Sequence, residues 1–192
     1  LKRKKKRVRA LIVTDYAGHM CDWKRIKKLS KKFNFYTIND NCHSLGSKYY
    51  KDRGYAVKFA DIATHSFHPV KVITTGEGGC LSTNNSAIYK KALELRSHGV
   101  IRTDNLKKKY GNWYYSMNSL GYNYRMPDIN ASLGISQLKK INKFIKKRKS
   151  IAKEYFDGFK RNKNIILPFI DKFCDHSFHL FPIQIKFENF QN

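Results

Sequence analysis

Short apolar runs alternate with helical spacing through the first half of the chain. A-L-I-V-T, from Ala10 to Thr14, is apolar and stops at Asp15, which predicts a buried strand. Asp22 then has the character of an N-cap, and Trp23, Ile26, Leu29 and Phe33 recur at helical spacing behind it. Phe35 to Ile38 reads as a second strand, ending at the polar stretch N-D-N-C-H-S. Strand, helix and strand within about thirty residues form a β-α-β unit, so the two strands are expected to be parallel. Further strands are predicted over Asp61 to Phe67 and Cys80 to Thr83, and Asn84, Asn85 and Ser86 cap a helix running to about Arg96. The alternation places the chain in the α/β class.

The pattern changes at Pro127 and Asp128, which suit a helix start. Apolar residues recur at Ile129, Leu133, Leu138, Ile141, Ile145 and Ile151, out to Phe159, which predicts two helices or one bent one. After Pro168, the alternation in H-L-F-P-I-Q-I-K-F resembles a strand of a second, smaller unit. The expected division is residues 1–145 as part of a larger domain and 146–192 as a linking helix and the start of a small one.

Composition narrows the field. The 192 residues are 41% hydrophobic and 14% aromatic, enough for a core and too much for wholesale disorder. The formal charge of +25 is the kind that nucleic acid or an anionic membrane attracts. Yet 29 of the basic residues are Lys and only 10 are Arg, and Lys is the usual choice for a solvated surface. Basicity is spread over helices and both ends without a binding motif, so neither partner is expected. No apolar run approaches the ~20 residues of a membrane span. The start, L-K-R-K-K-K-R-V-R-A, has no apolar stretch behind it as a signal peptide would, and no initiator Met, as in a piece of something longer. Cys21, Cys42, Cys80 and Cys174 are scattered, which points to reduced thiols in a cytoplasmic setting.

Ligands in a parallel α/β sheet sit beyond the carboxyl ends of the strands. Asp40 lies there, as do Ser66 and Lys71, and the Gly-rich turn T-T-G-E-G-G follows. Each has an ordinary explanation taken singly: a turn aspartate, a solvated lysine, a tight reversal. His65-x-x-His68 and His176-x-x-His179 have ligand-like spacing, but with no acidic or Cys partner nearby no metal is expected. Trp113, Tyr114 and Tyr115 suit either core packing or stacking on a nucleotide.

Together and in order, these segments carry a resemblance. S-F-H-P-V-K-V-I-T-T-G-E-G-G is similar to the signature of the DegT/DnrJ/EryC1/StrS family of sugar-nucleotide aminotransferases. D-Y-A-G-H-M-C-D, N-D-N-C-H-S-L-G-S-K-Y, L-R-S-H-G and L-G-Y-N-Y-R-M-P-D-I-N-A-S-L-G-I-S-Q-L-K-K-I resemble its other landmarks, from about Val8 to the C-terminus. The stretches around Lys71 and W-Y-Y-S-M-N-S-L-G-Y-N-Y-R-M are most similar to the branch that aminates UDP-4-keto-6-deoxy-N-acetylhexosamines, as in pseudaminic acid synthesis. The resemblance implies a fold-type I pyridoxal phosphate-dependent transferase with L-glutamate as amino donor and a homodimer with shared sites. It makes Lys71 the Schiff-base lysine and proton carrier, and Asp40 the partner of the pyridine nitrogen. His43 falls near the phenolic oxygen, Ser66 in the phosphate site, and Asn123 at the phosphate of the neighbouring subunit's cofactor. His68 could line the sugar pocket, and Arg125 is either a substrate contact or a salt-bridge partner.

Two departures stand out. Asn39 and Asn41 flank Asp40 where an acidic residue and small residues are common in the family. The chain also corresponds to the region from midway through the large domain to early in the small one, so uncovered sheet edges and apolar faces are expected. By itself it should bind pyridoxal phosphate weakly and be inactive. The alternatives are a relative acting on another nucleotide sugar (perosamine or 4-amino-arabinose type), a basic nucleic-acid-binding module, and a degenerate homologue kept as a scaffold.

Overall fold

The structure, a computed structural model, describes residues 8–190; the basic stretch over 1–7 lies outside the described residues. The main sheet has four strands: β1 (Ala10–Thr14), β2 (Tyr36–Asp40), and, after the two-residue β3 (Lys48–Tyr49), β4 (Ile62–Ser66) and β5 (Gly79–Ser82), in the order β1-β2-β4-β5. The β-α-β reading of the first two strands holds: β1 and β2 are parallel, with Thr14 opposite Asp40, and β4 continues the parallel set with Thr64 opposite Asp40. β5 returns antiparallel beside β4, placing Cys80 opposite His65. The second strand starts and ends later than its apolar run suggests. Asp40 is its last residue rather than the first of the loop, because the ladder to Thr14 and Thr64 carries on to it.

Helix α1 (Trp23–Phe33) starts where expected. The Asp22 carboxylate accepts the Arg25 N–H at 3.2 Å, and the helix ends at Asn34 with φ of 50°. With α2 (Tyr55–Phe59), it covers the face of the sheet that carries Val13 and Ala63. The core beneath them joins Met20, Trp23, Tyr49, Tyr55, Ala56, Ala60 and Ala63, and Phe173 and Cys174 pack against it from the far end of the chain. The face bearing Asp40 is open: Ile12 and Tyr36 are 67% and 59% exposed.

Beyond β5 come α3 (Ser86–Arg96), β6 (Val100–Ile101), α4 (Asp104–Tyr110) and β7 (Ser116–Met117), with β6 and β7 antiparallel. Asn85 caps α3 by accepting the N–H groups of Ala87 and Ile88. The long C-terminal pattern resolves into two helices, α5 (Asp128–Lys139) and α6 (Ile141–Phe159), separated at Lys140. α5 lies against the turn after Lys71. A Cβ on Gly134 would come within 2.8 Å of Thr75 Cγ2, so glycine permits the approach.

The remaining strands are two-residue pairs. β8 (Ile165–Ile166) pairs with β10 (Gln184–Ile185), and β9 (Cys174–Asp175) pairs with β3. Of the alternating H-L-F-P-I-Q-I-K-F stretch only Gln184–Ile185 forms a strand. Leu180 instead donates its N–H to the Ala17 carbonyl at 3.1 Å, which docks the segment on the turn after β1. No helix of the described residues is long and apolar enough to cross a membrane.

Candidate active site

The parallel strands β1, β2 and β4 end side by side, and the polar residues at those ends form one cluster. Asp15, immediately after β1, is fully buried and carries most of its hydrogen bonds. Its carboxylate accepts from Trp23 Nε1 at 2.9 Å, the Cys21 N–H at 2.9 Å, Asn39 Nδ2 at 3.1 Å, Asn41 Nδ2 at 3.3 Å and the Tyr55 hydroxyl at 2.8 Å. Burial pushes the Asp15 carboxyl above its ordinary range, and these donors oppose the shift. Asn39 and Asn41, the departures from the family's loop, are thereby explained: both are buried and feed Asp15 rather than crowding Asp40.

Asp40 points to the other side. Its carboxylate accepts from Thr14 Oγ1 at 3.3 Å and from the Cys42 N–H at 3.2 Å. Partial burial pushes this carboxyl up, but the hydrogen bonds from Cys42 and Thr14 and the nearby His43 outweigh it, leaving Asp40 below the usual carboxylate range and ionised. His43, three residues on, takes the Ala17 N–H on Nδ1 at 3.3 Å. Burial, then the positive charge of Lys71, hold His43 below an ordinary histidine, with Asp40 acting the other way.

Lys71 is half-buried, after a turn in which its N–H donates to the His68 carbonyl at 3.0 Å. Ser66 closes β4, and its Oγ accepts the His68 N–H at 3.4 Å, which leaves the hydroxyl proton to be donated elsewhere. The Gly-rich turn is held from α5: Asn130 Nδ2 donates to the Thr75 carbonyl at 2.6 Å and to that of Glu77 at 3.3 Å.

Asp40, His43, Ser66 and Lys71 thus come together at one end of the sheet. His68 is exposed beside them, 3.7 Å from Glu77. Asn123 and Arg125 are exposed as well, and no hydrogen bond or ion pair among the described residues joins either to the cluster. Asn123 forms a backbone bridge with Ser97 instead, and the rings of its neighbours Tyr122 and Tyr124 stack on each other. Trp113 and Tyr115 are 77% and 55% exposed, which removes the core-packing reading for both. His176 and His179 are buried, with burial pushing both down to about 4, so they are neutral at physiological pH. Sequence reasoning missed Asp15 and Ala17. Asp15 was legible only as a strand end, since nothing local shows that five donors from distant positions converge on it.

An anionic carboxylate, an imidazole, a serine hydroxyl and a lysine amine, set at the carboxyl ends of parallel strands, suit a phosphorylated pyridine aldehyde. The sequence profile of the DegT/DnrJ/EryC1/StrS aminotransferase family matches residues 3–192. The chain belongs to this family. Among its relatives, a UDP-4-amino-4,6-dideoxy-N-acetyl-beta-L-altrosamine transaminase of Campylobacter jejuni is 38% identical over 183 residues, spanning 95% of this chain and 46% of the relative. A GDP-perosamine synthase of Escherichia coli O157:H7 is 35% identical over 161 residues, 84% of this chain and 40% of the relative. The fold superposes on Helicobacter pylori PseC, an aminotransferase involved in pseudaminic acid biosynthesis, with a TM-score of 0.86 and 34% identity over 98% of this chain and 49% of that one. The architecture is therefore that of the pyridoxal phosphate-dependent aminotransferases, and the chain spans about half the length of these DegT/DnrJ/EryC1/StrS relatives.

Proposed function

We propose that the protein to which this chain belongs transfers an amino group from L-glutamate to the C4 ketone of a UDP-linked 4-keto-6-deoxy amino sugar, for surface polysaccharide or flagellin glycan synthesis. The observation that carries the reading is the meeting of ionised Asp40 with His43 and Lys71 at the open ends of β2 and β4. The altrosamine transaminase and PseC relatives support the sugar class, and the GDP-perosamine synthase marks the alternative within the family.

When bound, pyridoxal phosphate supplies a ring that accepts negative charge from the amino donor's α-carbon. The residues of this chain do the rest. Asp40, kept ionised by Thr14 and Cys42, would stabilise a proton on the pyridine nitrogen. His43 would face the phenolic oxygen, and the Ser66 hydroxyl would donate to the phosphate. Lys71 would hold the cofactor through Nζ, and its free amine would take up the proton lost from the donor's α-carbon. Asn123, exposed and not hydrogen-bonded to the cluster among the described residues, suits the cofactor phosphate of a second subunit in a homodimer. His68 beside Lys71 suits the sugar. Arg125, with no ion pair among the described residues, suits substrate better than a salt bridge.

A panel of UDP-, dTDP- and GDP-linked 4-keto sugars, assayed with glutamate, tests this reading. Amination of a UDP-linked 4-keto-6-deoxy-N-acetylhexosamine by the whole protein, lost in Lys71→Ala, is expected. Preference for the GDP-linked substrate would move the assignment to the perosamine type.

A further inference from the structure

The proposed chemistry leaves His176-x-x-His179 unused, although His179 lies against one of its residues. The His179 ring is 4.4 Å from the His43 ring, centroid to centroid, at 45°, and only 8% of the residue is exposed. Backbone contacts from both sides put it there. Arg148 Nη1, on α6, donates to the carbonyls of Phe178 and His179 at 3.2 Å each. Leu180 donates to the Ala17 carbonyl at 3.1 Å, and Ser177 donates through N–H to Ser47 Oγ at 3.1 Å and through Oγ to the His43 carbonyl at 3.4 Å. Nδ1 of His179 is buried and has no partner among the described residues. What His179 offers its neighbour is therefore a face rather than a hydrogen bond from Nδ1.

The same turn fixes the other side of His43. Ala17 has φ of 61°, in the left-handed region that alanine seldom enters, and this conformation aims its N–H at His43 Nδ1, 3.3 Å away. A nitrogen that accepts an N–H carries no proton, so the neutral ring must hold its proton on Nε2. His179 packs 4.4 Å from the half-buried His43 ring, where turning that ring off the amide would have to displace it. The groups facing His43 are Asp40 at the end of β2, Lys71 after β4, Tyr16 at 5.6 Å in the turn, and His179 with Arg148 behind it.

We propose that His179, together with the Ala17 amide, holds His43 as the Nε2–H tautomer, which makes His179 a positioning residue acting through His43. Nε2 is then a donor toward an oxygen acceptor. Identifying that acceptor as the cofactor's phenolic oxygen rests on the proposed function; the tautomer does not. In the opposite tautomer, Nε2 would present a lone pair to that oxygen and repel it.

Nitrogen-15 NMR of the histidine-labelled protein, without added cofactor, tests the proposal at neutral pH. In the wild type, His43 should show a pyridine-like Nδ1 and a pyrrole-like Nε2. His179→Ala should bring both nitrogens to intermediate shifts, as the two tautomers exchange, and His179→Phe, which restores an aromatic face, should return the wild-type pattern. A proton on Nδ1 in the wild type overturns the proposal whether or not either variant folds. So does a folded His179→Ala protein with unchanged His43 shifts, since its only loss would be stability, or a folded His179→Phe protein that remains mixed. Because no cofactor is present, failure here leaves the role of Lys71 untouched, and failure of Lys71 to hold the cofactor leaves the tautomer result standing.

Discussion

Asp15 and Asp40 lie at the ends of neighbouring strands and are put to opposite uses. Asp15 is enclosed by donors from Trp23, Asn39, Asn41 and Tyr55, and serves to tie α1, α2 and the loop after β2 to one point. Replacing it with alanine leaves those buried donors unpaired. An unsatisfied buried group costs about 1–3 kcal/mol, so Asp15→Ala should lose on the order of 3 kcal/mol of stability, read from the denaturant midpoint. Asp40 keeps an open side, and Asp40→Ala should leave the midpoint nearly unchanged while removing most of the cofactor affinity, measured by equilibrium titration. Position at the strand ends made Asp40, Ser66 and Lys71 visible in the sequence, but the resemblance to the family is what gave them, and His43, their roles. Asp15 was hidden because its role is defined by partners up to 40 positions away.

Elements with a sustained period were legible as well. β1, α1, β2, β4, β5 and α3 all stand close to where apolar spacing and caps put them. The pairs β3–β9 and β6–β7 are two residues long, too short for any periodic signal, and α2 has only five residues. The segment around His179 alternates like a strand but is held by the Leu180–Ala17 hydrogen bond and by contacts to Arg148, Ser47 and His43, a tertiary choice that alternation cannot reveal. Gly18 is critical to that docking. Its φ is 103°, and a Cβ there would lie 2.7 Å from Ser177 Oγ. Gly18→Ala should therefore cost about 2 kcal/mol and expose the Leu180 amide to faster hydrogen exchange, combining backbone strain with crowding.

Over the whole molecule, seven lysines of the described residues enter ion pairs, and Lys27–Asp61, Lys48–Asp175 and Lys149–Asp175 join separate segments. The pairs Lys58–Asp52, Lys91–Glu94 and Lys160–Asp157 are surface contacts within single segments, of the kind that contributes little. The buried histidines matter more for pH dependence. His176 and His179 are held at about 4, below the ordinary 6.5, so the unfolded chain binds more protons between those values. Their contribution to stability is complete above about 6.5 and falls away as pH drops toward about 4. Urea midpoints should decline across that window, and less steeply in His176→Phe if the variant packs. The face around Ile12 and Tyr36 is open, and the chain spans about half the length of the relatives it matches.

The central claim is that Lys71, one of 29 lysines, is the residue that holds pyridoxal phosphate. Borohydride reduction in the presence of the cofactor, followed by peptide mass spectrometry, tests it most directly. The account predicts a pyridoxyl adduct concentrated on the peptide containing Lys71 and absent from that peptide in Lys71→Ala. Labelling spread over the surface lysines with no preference for Lys71 would contradict it.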